Sequence, residues 1–199
     1  MLAVPFRTAQ RLFLNLKLGR AGASTLMRRT MQGPRREGWA WRFETIVDVM
    51  HQNAASAREF SVMDLRTSFE RVVALIPPPK ASFEETTIAG VPAAWISHDD
   101  IYSDSDSVLL YFHGGGYVSG SPRDYQGLIA ELARTCQMPA LAIDYRLAPE
   151  HPFPAALEDA WSAYWWLLSE GVPPDKIAIG GDSAGGGLAM ALLLALKNT

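Results

Sequence analysis

Short runs of apolar residues in the second half of the chain constrain its fold more than any other feature. Three of them, residues 108–112, 140–143 and 177–179, are apolar at every position rather than at alternate positions. Such runs are typical of parallel strands that helices cover on both faces. Because helical stretches separate them, the order of elements predicts an α/β fold with a parallel sheet. Residues 83–88 and 91–96 predict two further strands, which form a hairpin at the sheet edge.

The chain before residue 81 shows a different pattern. Apolar residues recur at helical spacing over residues 39–76, which predicts helices. Three consecutive prolines, residues 77–79, end this stretch because proline lacks the amide hydrogen that a helix requires. We therefore predict a helical N-terminal region over residues 1–80 and a sheet-containing region over residues 81–199.

Charge is divided unevenly along the chain, although the formal net charge is only -3. No acidic residue precedes Glu37, whereas eight basic residues do. Such a segment is typical of a transit peptide, of a segment that contacts a membrane surface, or of an exposed helical arm, and the sequence leaves these three interpretations open. A secretory signal is disfavoured because Asn15 and Lys17 interrupt the apolar stretch, so we predict a cytoplasmic protein.

The composition argues against several classes of function. Without an overall basic excess, the chain is not expected to bind nucleic acid as its main partner. The longest apolar run, residues 188–196, is too short to span a bilayer. The single cysteine, Cys136, cannot form an internal disulfide, and we expect its thiol to be buried. The four scattered histidines predict no metal site, and nothing in the sequence indicates an oligomeric state.

A glycine cluster follows the last apolar run, at a strand end where parallel sheets bind ligands. Within it, Gly181-x-Ser183-x-Gly185 lies between a predicted strand and a predicted helix, which is the pattern of a nucleophile elbow. The sharp turn exposes the serine at a helix N-terminus, where unpaired N–H groups stabilise negative charge. A phosphate-binding loop is disfavoured because Gly186 and Gly187 stand where that motif requires Lys and Ser or Thr.

A second cluster, His113-Gly114-Gly115-Gly116, follows the first apolar run. Glycines there let backbone N–H groups approach a bound carbonyl oxygen, so together with the elbow the cluster predicts an oxyanion hole. We expect His113 to hold the shape of this loop rather than to transfer protons. In proteins with a nucleophile elbow, the general base follows the serine in sequence.

Three motifs, taken in order, resemble those of one family. Residues 113–117, residues 144–156 and residues 181–186 are similar to motifs of the hormone-sensitive-lipase-type carboxylesterases, which have the α/β-hydrolase fold. The resemblance covers about residues 81–199. It implies that this region is an α/β-hydrolase core and that residues 1–80 resemble, more loosely, the helical cap of such enzymes.

The resemblance also implies roles for individual residues. Ser183 corresponds to the nucleophile, and the backbone N–H groups of Gly115, Gly116 and Ala184 correspond to the donors of the oxyanion hole. Gly114 shapes the loop. Aromatic side chains are candidates for the wall of the acyl pocket, namely Tyr117, Trp39 and Trp41. Enzymes of this kind require no cofactor and no metal ion.

Residues 144–156 contain acidic residues and a histidine, but we interpret them as a structural connector. Arg146 and Glu150 are expected to pair and to brace a loop that its prolines make rigid.

The chain departs from the family after the predicted elbow helix. In this fold the acid and the histidine of the triad follow the serine, but residues 184–199 contain no Asp, Glu or His. One hypothesis is a serine ester hydrolase for small to medium acyl esters or lactones, truncated after the elbow helix and inactive as it stands. The alternative is a non-catalytic remnant or a binding protein with half of an α/β-hydrolase domain.

Overall fold

The structure is a computed structural model that describes residues 6–56, 61–73, 80–98 and 106–197. The chain divides into two compact units, Met1–Leu65 and Arg66–Thr199. The boundary near residue 80 between a helical and a sheet-containing region stays a prediction. The prolines at residues 77–79 lie outside the described residues.

The first unit contains helices α1 (Phe6–Gln32) and α2 (Trp41–Ser56). Acidic side chains of α2 neutralise part of the basic charge of α1, since Arg28 and Arg29 both pair with Glu44. Burial alone raises the pKa of Glu44, but hydrogen bonds from these arginines and from the Arg35 backbone outweigh it and lower that pKa to about 2. This part of the basic segment is therefore a helix that packs on α2.

Helix α3 (Val62–Val73) begins at a reciprocal cap. The backbone N–H of Asp64 donates to Ser61 Oγ at 3.2 Å, and the backbone N–H of Ser61 donates to the Asp64 carboxylate at 3.1 Å. Such a capping box satisfies donors that have no partner within the first turn of a helix.

The second unit is built on one five-stranded sheet with the order β1-β2-β4-β3-β5. Its strands are β1 (Ala81–Ile88), β2 (Val91–His98), β3 (Val108–Phe112), β4 (Ala140–Ile143) and β5 (Ile177–Gly181). The antiparallel pair β1 and β2 forms the edge, whereas β3 is parallel to both β4 and β5. These observations confirm the predicted hairpin and the predicted parallel strands.

Helices cover both faces of β3 and β4, which explains why these two strands are apolar and buried throughout. The expected burial of the third apolar run is wrong, since β5 is only partly buried and its Ala178 is exposed. The helices are α4 (Gln126–Cys136), α5 (Ala155–Ser169) and α6 (Ala184–Lys197). Leu110 and Phe112 of β3 pack in one buried cluster with residues of α5 and α6. The alternate side chains Leu109 and Tyr111 pack in the other cluster, with Ile129 of α4. The fold is thus an α/β fold with a mixed sheet.

The end of the sheet at β5 carries exposed apolar surface. Among the described strands, β5 pairs with β3 alone. Helix α6 buries Leu188 and Leu192 against the sheet, while Met190, Leu193 and Leu194 are exposed.

None of the helices within the described residues is long and apolar enough to cross a membrane.

The expected burial of Cys136 is wrong. Its thiol is exposed, because Cys136 is the last residue of α4 and the following Gln137 ends the helix in the left-handed conformation. The buried face of this helix is instead formed by Ile129, Ala130 and Ala133.

Candidate active site

The two glycine clusters lie side by side because the strands that precede them are neighbours. In the parallel pair of β3 and β5, Phe112 is opposite Gly181. The loop that begins at His113 and the turn that begins at Asp182 therefore leave the same edge of the sheet together. This is the carboxyl edge, where open parallel sheets bind ligands.

Ser183 has the backbone conformation that a nucleophile elbow requires. Its φ is 50°, in the left-handed region that residues other than glycine rarely adopt. The residue is also exposed. It directly precedes Ala184, the first residue of α6, whose N–H belongs to the first turn and has no partner within the helix. The predicted nucleophile thus stands beside an anion-stabilising helix end.

The glycines on either side of the serine are required by close backbone contacts. A Cβ on Gly181 would collide with the backbone of Gly185, and a Cβ on Gly185 would collide with the carbonyl oxygen of Phe112. The spacing Gly-x-Ser-x-Gly is therefore required because the backbone of α6 passes very close to the strands.

The loop after β3 also depends on glycine. Gly115 has a φ of 122° and Gly116 a φ of 66°, and a Cβ on Gly115 would collide with the carbonyl of Ser119. The backbone N–H groups of Val118 and Ser119 both donate to the Gly115 carbonyl, at 3.1 and 3.0 Å, and close a tight turn. We call residues 115–119 the glycine turn.

Asp182 joins the two loops, and our sequence reasoning missed this role. Its Oδ1 accepts hydrogen bonds from the backbone N–H of Gly114 at 2.8 Å and from the Tyr111 hydroxyl at 3.0 Å. Tyr125 also interacts with the Asp182 carboxylate. Burial, together with this carboxylate, raises the pKa of Tyr125 to about 12, so its hydroxyl stays neutral and can donate a hydrogen bond. A Cβ on Gly114 would collide with the Asp182 carboxylate. The acidic residue inside Gly-x-Ser was the signal that could have predicted this bond.

His113 is buried and supports the loop, as its predicted structural role requires. The Nδ1–H of His113 donates to the Gly114 carbonyl at 2.7 Å. The backbone carbonyl of His113 accepts a hydrogen bond from the Tyr145 hydroxyl, also at 2.7 Å. The imidazole stacks on the Tyr145 ring with centroids 4.3 Å apart. Burial lowers the pKa of His113, which favours the neutral ring.

Tyr117 belongs to the glycine turn, and its hydroxyl reaches α6. It has a φ of 63°, and a Cβ on Gly187 would be 2.9 Å from its hydroxyl. The Tyr117 ring is thus near the helix end that follows Ser183. The predicted pocket residues Trp39 and Trp41 belong to the first unit, so their part in the acyl pocket stays a prediction.

The expected pairing of Arg146 with Glu150 is wrong. Arg146 instead pairs with Asp159 at 2.8 Å and with Glu158 at 3.0 Å, both on α5. Glu150 pairs with Arg66 at 2.7 Å. These three pairs still brace the connector, but each partner comes from an element that spacing alone did not indicate.

Among the residues that the structure describes, no group of three or more His, Cys, Asp or Glu side chains is placed to hold a metal ion. The arrangement around Ser183 consists of a strained serine, a helix N-terminus and a glycine turn. Chemically, these are the parts that acyl transfer through a serine uses.

Comparison with known proteins agrees with this arrangement. Residues 109–199 match a family with the α/β-hydrolase fold. The chain is 50% identical over 90 residues to an acetyl-hydrolase of Streptomyces hygroscopicus, which spans 45% of this chain and 30% of that protein. It is 35% identical over 134 residues to an esterase of Acinetobacter venetianus, with 67% of this chain and 43% of that protein covered.

Among solved structures, an esterase of the bacterial hormone-sensitive lipase family is similar to the chain. Its TM-score is 0.67 at 35% identity, and the match covers 100% of this chain and 54% of that one. The two curated relatives are covered over less than half of their length.

The strand order, the helices that pack on the sheet and the matched residues define the α/β-hydrolase fold. Within that fold, the chain is similar to the N-terminal part of esterases of the bacterial hormone-sensitive lipase family.

Proposed function

We propose that the chain belongs to a serine ester hydrolase that cleaves small to medium acyl esters or lactones through an acyl-enzyme on Ser183. The observation that carries this proposal is the strained, exposed Ser183 beside a glycine turn and a helix N-terminus. The strain supports it because unfavourable backbone angles persist where function requires them.

In the proposed reaction, Ser183 Oγ attacks the ester carbonyl carbon and its proton passes to a general base. The carbonyl oxygen becomes an oxyanion that accepts hydrogen bonds from the N–H groups of Gly115, Gly116 and Ala184. The alcohol then leaves with a proton from the base, and an acyl-enzyme remains. Water attacks this ester, the acid is released and Ser183 regains its proton.

Residues 1–199 contain no candidate for that base among the groups near Ser183 that the structure describes. His113 is the imidazole beside the loops, but it is buried and its Nδ1–H is bound to Gly114. Within residues 184–199 there is no Asp, Glu or His. We therefore propose that residues 1–199 alone have near-background activity, since loss of the histidine in another serine hydrolase lowers turnover by about 10⁶-fold.

The surroundings of Ser183 suggest where substrate binds. We propose that Tyr117 forms part of the acyl pocket, while a cap formed by residues 1–80 and a pocket role for Trp39 and Trp41 stay predictions. A cytoplasmic location and a peripheral membrane contact of the basic segment stay predictions.

The proposal is tested on the protein isolated from its source. Its mass and its peptides show whether a later Asp and His exist, and p-nitrophenyl esters of increasing acyl length measure its hydrolysis. We expect hydrolysis that Ser183→Ala abolishes. Undiminished hydrolysis in that variant would refute the role of Ser183.

A second candidate is a non-catalytic remnant or a binding protein. The observation that favours it is that His113, the imidazole beside the two loops, is buried and bound to Gly114 rather than free to act as a base. The same isolated protein distinguishes the two. A native mass equal to that of the 199 residues, with no Ser183-dependent hydrolysis, supports the second candidate.

A further inference from the structure

We propose that Arg66 is a positioning residue that holds the glycine turn and, through it, the N–H groups of Gly115 and Gly116. The inference rests on the proposed function only for its effect on turnover. The contacts themselves lie within the second unit, where Arg66 is the first residue.

The Arg66 guanidinium makes four hydrogen bonds to two separate segments. Its Nε donates to the Val118 carbonyl at 2.6 Å, and its Nη2 donates to the Ala148 carbonyl at 3.1 Å. Nη1 and Nη2 each donate to one carboxylate oxygen of Glu150, at 2.7 Å in both cases. A planar guanidinium with donors in a fixed fork can make such a set, whereas an ammonium group cannot.

The Val118 carbonyl belongs to the glycine turn, so Arg66 acts on the predicted oxyanion hole through only a few covalent bonds. The N–H of Val118 donates to the Gly115 carbonyl, and the N–H of Ala148 donates to the Tyr117 carbonyl at 2.8 Å. Arg66 therefore binds, from one side chain, both the glycine turn and the segment that pairs with it.

Open space lies beside the turn on the side of Arg66. A cavity of about 450 Å³ there is lined by Arg66, Ser119 and Glu150 together with Leu147. The hydrogen bonds of Arg66 therefore reach the turn at a place that side-chain packing does not fill.

A simple surface ion pair does not account for the geometry. Exposed Arg–carboxylate pairs contribute little to stability, and the Glu150 side chain is 53% exposed. Two of the four bonds go instead to backbone carbonyls, and the Arg66 side chain is only 22% exposed. We infer that Glu150 orients the guanidinium and that the carbonyl bonds carry the function.

Small displacements of oxyanion donors are costly, because these donors act only when they are directed at the developing charge. A side chain that fixes the turn should therefore affect turnover more than substrate affinity.

The test is amide hydrogen exchange of the 199-residue chain, resolved at Val118 and Ser119, in Arg66→Gln, Arg66→Lys and Glu150→Gln. We expect exchange at these two amides to be about ten-fold faster in Arg66→Gln, with little change elsewhere. Arg66→Lys keeps the charge but loses the forked set of donors, so exchange at Val118 and Ser119 should also be faster in this variant. Glu150→Gln keeps both carbonyl bonds and should change less. Arg134→Gln, which removes a surface partner of Glu131 on α4, is the control.

Unchanged exchange at Val118 and Ser119 in both Arg66 variants would overturn the inference. So would an increase spread evenly over the chain with a lower melting temperature, since that result indicates general destabilisation. If Arg66→Gln does not fold, Arg66→Lys and Glu150→Gln still decide between these outcomes.

A kinetic measurement on the isolated whole protein separates the inference from the proposed function. We expect Arg66→Lys to lower kcat about ten-fold with KM nearly unchanged. If the unsubstituted protein shows no Ser183-dependent hydrolysis, the proposed function fails while the exchange result stands. If hydrolysis is present and kcat is unchanged in Arg66→Lys, the positioning role fails.

Discussion

The carboxylate of Asp182 accepts a hydrogen bond from the backbone N–H of Gly114 at 2.8 Å, and this bond ties the turn after β5 to the loop after β3. The Tyr111 hydroxyl donates to the same oxygen. The relative position of Ser183 and the glycine turn thus depends on one side chain that is not itself a candidate for chemistry.

Replacing Asp182 by Ala should destabilise the second unit by about 1–3 kcal/mol, because the Gly114 N–H and the Tyr111 hydroxyl both lose their acceptor. Asp182→Asn keeps one acceptor oxygen and should cost less. Urea unfolding followed by tryptophan fluorescence measures both. Equal stability of the Ala variant and the unsubstituted chain would show that water replaces the bond.

The strain at Ser183 predicts an unusual ranking of two variants. A residue with a Cβ costs about 1–2 kcal/mol in the left-handed region, so Ser183→Gly should be more stable than Ser183→Ala by about 1 kcal/mol. Inside α6, which begins at the next residue, the ranking should reverse, and Ala191→Gly should lower stability. Thermal unfolding of the three variants provides the comparison, and a more stable Ser183→Ala would argue against strain.

Gly115 and Gly90 form a matched pair of glycines with positive φ, at 122° and 82°. A Cβ on Gly90 meets nothing within 4 Å, whereas one on Gly115 collides with the Ser119 carbonyl. Gly90→Ala should therefore cost about 1 kcal/mol, and Gly115→Ala clearly more. In the isolated whole protein, Gly115→Ala should also lower turnover by about 10²-fold. Similar effects of both substitutions would contradict the close contact.

The lowered pKa of Glu44 predicts acid sensitivity of the first unit. The folded-state pKa of about 2 lies below the ordinary 4.5, so the ionised carboxylate stabilises the fold above pH 4.5. This contribution is lost as the pH falls from 4.5 to about 2. Circular dichroism at a helical wavelength should show it, with a weaker pH dependence in Glu44→Gln. Glu37→Gln serves as the control, and identical acid curves for the two variants would contradict the prediction.

The exposed side of α6 predicts self-association. Met190, Leu193 and Leu194 are 60%, 46% and 61% exposed on one helix next to the end strand β5. Contiguous apolar surface of this kind favours association. We expect the average mass in light scattering to rise with concentration and to fall in Leu194→Lys. Leu128→Lys, at a single exposed leucine on α4, should leave it unchanged.

Much of the fold and of the candidate site could be predicted from local sequence patterns. The apolar runs at residues 108–112 and 140–143 predicted buried parallel strands, because a strand covered on both faces is apolar at every position. The run at residues 177–179 predicted a parallel strand correctly, but that strand is only partly buried. The Gly-x-Ser-x-Gly pattern predicted the turn at Ser183, because short-range backbone collisions require those glycines. Each of these patterns is local along the chain, even where its cause is a tertiary contact such as that between Gly185 and Phe112.

Contacts between distant residues needed the tertiary structure. Asp182 and Gly114 are 68 positions apart, and Arg66 and Glu150 are 84 apart, so no local period records either bond. The pairing of Arg146 with Glu150 was predicted because the two are close in sequence, but α5 brings Asp159 nearer in space. The sequence by itself determined which residues form strands, turns and helix ends. Only the packing of those elements decided which polar side chains meet, because each charged group binds the partner that the fold places within reach.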